Sequence, residues 1–241
     1  MMTRLPGLCA ATLSLMLAVV AMAPPPASAQ DDNVTSRERI LRDPEIPPLG
    51  NPDGDVTIVE WFDYQCPYCK TLSPELEKII KEDGKVRLVL KDWPILGPPS
   101  PEASRLVIAA KYQGKFEAAH KALMTRVGRL TSGTLEEALT KAGVDVARAK
   151  SDLEAHKADI DALLARNNEQ AEALGFNSTP SFIVGTFRIP GVMKPELFKL
   201  AIADARAKAK EDDKAGKGGA KPSGKAKPAK SPSKTKEAPA K

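Results

Sequence analysis

The stretch Val56-Thr57-Ile58-Val59-Glu60-Trp61-Phe62 restricts the fold of this 241-residue chain more than any other. β-Branched and aromatic residues dominate it, the composition of a strand covered on both faces. After Cys66 the pattern becomes helical, with Leu72, Leu76, Ile79 and Ile80 on one face and Gly84 at the end. Pro74 inside that helix predicts a kink. Val86 to Lys91 then alternates as a second strand. Strand, helix and strand in this order make a right-handed parallel unit almost without exception, so the chain is an α/β protein.

Between Gly97 and Gly175 the spacing is helical throughout. Ser100-Pro101 reads as an N-cap followed by proline at the first helical position, and Thr134 with Glu137 as a capping box. Leu106, Val107 and Ala110, then Phe116, Leu123 and Met124, then Leu135 and Leu139, then Ile160, Leu163, Leu164, Ala171 and Leu174 recur as core faces. Beyond Gly175, Ser181 to Val184 and Phe187 to Ile189 predict a hairpin around Gly185-Thr186. A last helix is expected from about Lys194-Pro195, burying Leu197, Leu200 and Ala201.

The two ends read differently. Arg4, the apolar run Leu8 to Val20 and the small residues Ala27-Ser28-Ala29 make residues 1–29 an export signal whose removal leaves Gln30 first. The apolar run is shorter than the ~20 residues of a membrane span, and Cys9 leaves with it. Residues 30–54 are a polar, proline-rich extension, with the core starting after Gly54. Residues 211–241 form a Lys-, Ala- and Pro-rich tail with nothing to bury, expected to be disordered. The tail accounts for the net charge of +5: nine Lys and one Glu lie beyond Asp213. It serves either as a solvated appendage or as a weak electrostatic contact with envelope polyanions. No aromatic residue interleaves its lysines, so nucleic acid is not an expected partner.

Of three cysteines, the mature chain keeps Cys66 and Cys69, spaced C-x-x-C between a strand end and a helix start. Unpaired N–H groups and the helix dipole there favour a thiolate at Cys66. Cys69, one turn further in, is placed to resolve a mixed disulfide. Pro67, at the first helical turn, gives up no needed hydrogen bond. A zinc site is the competing reading and needs two more ligands. His120 and His156 both fall in the helical region, where a surface or half-buried place is expected. Inert core cysteines are the third reading. A redox pair requires no cofactor.

Three segments together resemble the DsbA-type thiol-disulfide oxidoreductases of the bacterial envelope: Glu60-Trp61-Phe62-Asp63-Tyr64-Gln65-Cys66-Pro67-Tyr68-Cys69, Lys91-Asp92-Trp93-Pro94-Ile95-Leu96-Gly97 and Ser178-Thr179-Pro180-Ser181-Phe182-Ile183-Val184-Gly185. The similarity implies a thioredoxin-like fold over residues 55–210, with a helical insertion at about 98–175. It implies a cis Thr179–Pro180 bond facing the disulfide, where Thr179, Pro180, Pro67 and Tyr68 meet the substrate. It also implies that Glu60, on a strand face with Ile58 and Phe62, is buried below the cysteines as proton acceptor for Cys69. Lys91 is a weaker partner for that acid. Strongly oxidising members carry His where this chain has Tyr68, which leaves the direction of electron flow open.

The implied activity is disulfide formation, reduction or isomerisation in unfolded or misoxidised exported proteins of the periplasm, with a membrane redox partner. The alternative is an envelope protein that holds a soft ion such as Cu(I) on the two thiolates.

Overall fold

The computed structural model describes residues 33–218. The export signal expected at 1–29 and most of the Lys-rich tail therefore lie outside the described residues.

Strand β2 (Val56–Phe62) is buried along its whole length, as its composition requires. Helix α2 (Pro67–Asp83) runs unbroken through Pro74 and stops at Gly84, whose φ of 69° is left-handed and whose amide bonds back to the Ile80 carbonyl. Strand β3 (Val86–Asp92) lies parallel to β2, pairing Glu60 with Leu90 and Trp61 with Lys91. The hairpin of β4 (Ser181–Val184) and β5 (Phe187–Ile189) joins the other edge of β2 in antiparallel fashion. With β1 (Leu49–Gly50) on β3, the sheet order is β1-β3-β2-β4-β5.

The segment ahead of Val56 is part of the core, contrary to its reading as an extension. Helix α1 (Arg37–Leu41) buries Ile40 and Leu41, Ile46 packs with them, and β1 completes the sheet. A one-turn helix and a two-residue strand are too short to show periodicity. The insertion is helical as expected: α3 (Pro99–Ala109), a 3₁₀ turn, α4 (Phe116–Met124), α5 (Ser132–Lys141), α6 (Val146–Ala155) and α7 (Lys157–Ala173).

Three helix ends differ from expectation. α3 begins at Pro99, so Ser100 is inside it and its hydroxyl is free for another use. The capping box of α5 is Thr131 with Thr134, one turn earlier than Thr134 with Glu137. Helix α8 (Pro195–Gly218) buries Phe198, Ile202 and Ala205, whereas Leu197 and Leu200 are exposed. Phe198 takes the core place because it meets Phe182 edge-on at 5.1 Å. α8 also continues past residue 211, where the sequence predicts that a disordered tail begins.

The sheet separates two apolar clusters. Ile58 and Phe62 face α2, α8 and the insertion helices, while Val59, Trp61, Val89 and Trp93 face α1 and α7.

Candidate active site

Cys66 is the N-cap of α2, with extended backbone and its Sγ accepting the Cys69 amide at 3.3 Å. Asp63 builds the turn before it. Its carboxylate accepts the amides of Gln65 at 2.7 Å and Leu96 at 2.9 Å and the Ser100 hydroxyl at 2.6 Å, while its carbonyl accepts the Cys66 amide at 3.0 Å. One side chain thus fastens the strand end, the loop after β3 and the start of α3 around the cysteines. In the sequence Ser100 reads only as a helix N-cap and Asp63 only as part of a resembling segment; the available signal is an Asp opening a turn, where its side chain can accept the amide two residues on.

Thr179–Pro180 is cis, as the resemblance implied. Its Thr179 carbonyl accepts the Cys66 thiol at 3.3 Å. That contact holds the proton on sulfur, yet the balance favours its loss. A hydrogen bond from the Cys69 thiol and the amides of Cys69 and Tyr68 outweigh burial and lower the Cys66 thiol to about 6. Cys69 goes the other way: burial, then its bond to Cys66, then the charge of Glu60 raise its thiol far above the ordinary value. Two adjacent thiols are thereby driven apart in acidity. Cys66 is only 2% exposed, but its neighbours Pro67 and Tyr68 are on the surface, Tyr68 at 63%.

Glu60 lies in the sheet between Leu90 and Phe182, with its Oε1 buried and unpartnered. Burial, and then the charge of Cys66, push its carboxyl up to about 8. It lines a cavity of about 560 Å³ between α2, β1, β3 and α4. Lys91 is not its partner. One residue along β3 reverses the face, so Lys91 pairs with buried Asp43 at 3.4 Å on the other side of the sheet, and Arg166 reaches the same carboxylate at 3.1 Å.

His120 is buried rather than at the surface or half-buried, because α4 packs it against Phe62 at 5.0 Å. It shares the Glu60 cavity. His156 stays partly exposed and stacks on Tyr112 at 3.9 Å.

Residues 43–204 match the family model described as Thioredoxin. A thioredoxin-like oxidoreductase from Silicibacter pomeroyi DSS-3 is 40% identical, with a TM-score of 0.69 over 71% of this chain and 98% of that one. The thiol-disulfide exchange protein alpha-DsbA2 of Wolbachia pipientis, 22% identical, shares the fold with a TM-score of 0.65 over 69% of this chain and 90% of that one. The Na(+)/H(+) antiporter NhaA 1 of Mycolicibacterium gilvum is 28% identical over 145 residues, 59% of this chain and 24% of that protein. The chain thus spans about a quarter of the length of the curated relatives it matches. By the family match and the shared fold, this chain belongs to the thioredoxin family.

Proposed function

We propose that the protein exchanges disulfides with exported client proteins in the periplasm, with Cys66 attacking and Cys69 resolving. The observation that carries this reading is the split between the two thiols: Cys66 lowered to about 6 at the helix N-terminus, Cys69 raised beside a buried acid. Reduction of a client starts with the Cys66 thiolate attacking one sulfur of its disulfide. The client S–S bond breaks, and the second client sulfur leaves as thiolate and takes a proton from water. Cys66 has now lost its negative charge, which was one cause of the raised Glu60 pKa, so the carboxyl ionises more readily. Glu60 then accepts the Cys69 proton, and the Cys69 sulfur attacks Cys66 Sγ. The Cys66–Cys69 disulfide forms and the client thiolate departs, two electrons having passed to the client. The reverse sequence oxidises a client dithiol. A membrane partner returns the pair to its working state.

Thr179, Pro180, Pro67 and Tyr68 are the proposed client contacts; Thr179 and Pro180 offer a backbone edge to an extended client strand. The Thr179 carbonyl against Cys66 Sγ favours this reading over the soft-metal alternative, because it fills a direction that a further ligand would need.

The test is trapping. Cys69→Ala incubated with insulin should accumulate a mixed disulfide at Cys66, while Cys66→Ala accumulates none and wild type reduces insulin in the presence of dithiothreitol. Equal trapping by both variants would overturn the assignment. Cell fractionation tests the location, which requires cleavage after Ala29 and recovery from the periplasm.

A further inference from the structure

A groove of about 590 Å³ starts at Tyr64, Gln65 and Pro67, the chain neighbours of Cys66, and follows the first turns of α2 to residues 124–130 at and after the end of α4. Its charged lining has one sign: Lys70, Arg126 and Arg129, with no acidic side chain. Lys70 is held in place, its Nζ donating to the carbonyls of Leu123 at 2.6 Å and Arg126 at 3.1 Å. Burial and the Arg126 charge both lower its pKa, so two cations sit close enough to oppose one another. Arg126 spends one N–H on the Gly128 carbonyl, and among the described residues the Arg129 guanidinium has no partner.

Three acids around the groove are engaged elsewhere, while Glu75, next after the lining residue Pro74, is exposed on α2. Asp63 lies behind the groove in its three hydrogen bonds, Glu77 pairs with Lys121, and Glu137, which feels Arg126, pairs with Lys141. On the same loop Val127 is 90% exposed. The groove's lining therefore offers an apolar contact and three cations beside the first turns of α2, and carries no acidic side chain.

We propose that this groove seats an acidic segment of the client, an extended stretch carrying Asp or Glu beside the cysteine delivered to Cys66, and that it selects clients by that charge. The proposal rests on Cys66 as the attacking sulfur. Arg126 and Arg129 are suited to carboxylates by their forked donors, and Lys70 adds a fixed point charge. The same field steers acidic segments toward the site before contact.

Three synthetic peptides with one intramolecular disulfide, differing only in whether the flank is Asp-Asp, Ser-Ser or Lys-Lys, test this by kcat/KM for reduction at two salt concentrations, with reduced glutathione returning the Cys66–Cys69 pair to the dithiol. The acidic peptide should exceed the basic one by roughly tenfold or more at low salt, with the gap narrowing as salt rises. Arg126→Glu with Arg129→Glu should invert the order, and Arg129→Glu alone, at a fully surface position, should reduce the gap. Equal rates for all three peptides with wild type, or a preference untouched by the charge reversals, would overturn the proposal while leaving disulfide exchange in place. No turnover of any peptide would overturn the disulfide-exchange reading, and the proposal with it.

Discussion

The Nδ1 of His120 lies 3.2 Å from the Tyr64 hydroxyl, and both groups are buried beneath the first turn of α2. Burial raises the tyrosine and keeps it protonated, so the hydroxyl donates and the imidazole proton belongs on Nε2. Burial also lowers His120 to about 3.

This pair has a consequence for stability in acid. The unfolded histidine takes up a proton near pH 6.5 and the folded one does not until about 3, so stability falls as pH drops through that window. Wild type should lose about 2 kcal/mol from this source at pH 5 relative to neutral pH. His120→Asn should be less stable at neutral pH but lack this slope, as urea unfolding at pH 7 and pH 5 would show.

Glu60 has the opposite sign. Its folded pKa of about 8 lies above the ordinary carboxylate value, so the stability it supports is complete in acid and is lost as pH rises toward 8. Glu60→Gln removes the titration and should be the more stable protein at pH 7, by on the order of 3 kcal/mol, with the difference vanishing near pH 4. The same variant should prolong the life of the mixed disulfide, because Cys69 loses its proton acceptor. Quenched-flow trapping measures that lifetime; an unchanged value would remove Glu60 from the mechanism.

Asp43 ties the N-terminal segment to the sheet. Its carboxylate meets Lys91 and Arg166, and burial keeps Lys91 down at about 8. Asp43→Ala should cost about 3–5 kcal/mol, since it strands a buried ammonium. Asp43→Ala with Lys91→Met should recover much of that loss in denaturant unfolding, as an apolar residue of similar length replaces the charge.

Tyr68 brings no cation to the Cys66 thiolate, so the reduced form is not favoured as strongly as in a potent oxidant. The reduction potential is expected near −200 mV, rather than the ~−120 mV of a strong oxidant. Equilibration with glutathione gives the value, and Tyr68→His should move it in the oxidising direction.

The parts of the fold legible in the sequence are those where a long pattern and a strong local signal agree. Val56 to Phe62, the helix closed by Gly84 and the strand from Val86 are of this kind, and so is Cys66 at the junction between strand and helix. Phase errors arose where several apolar residues compete for one face: in α8, Phe198 won over Leu197 and Leu200 because Phe182 stands opposite, a fact of tertiary packing. Lys91 stands one residue along β3 from Leu90, the partner of Glu60, and a single step of strand alternation exchanges the faces of the sheet. The Asp63–Ser100 bond is not legible because it spans 37 residues of chain, and neither the turn signal at Asp63 nor the cap signal at Ser100 points to the other.

The central claim is that Cys66 is the group poised as a thiolate. Ultraviolet absorbance titration of the reduced protein reads it directly, with Cys66→Ala and Cys69→Ala to separate the two sulfurs. A single thiol with a midpoint near 6 that disappears in Cys66→Ala is the predicted result. A Cys66 midpoint above 8 in the reduced wild type, or a low midpoint that survives in Cys66→Ala, would contradict it.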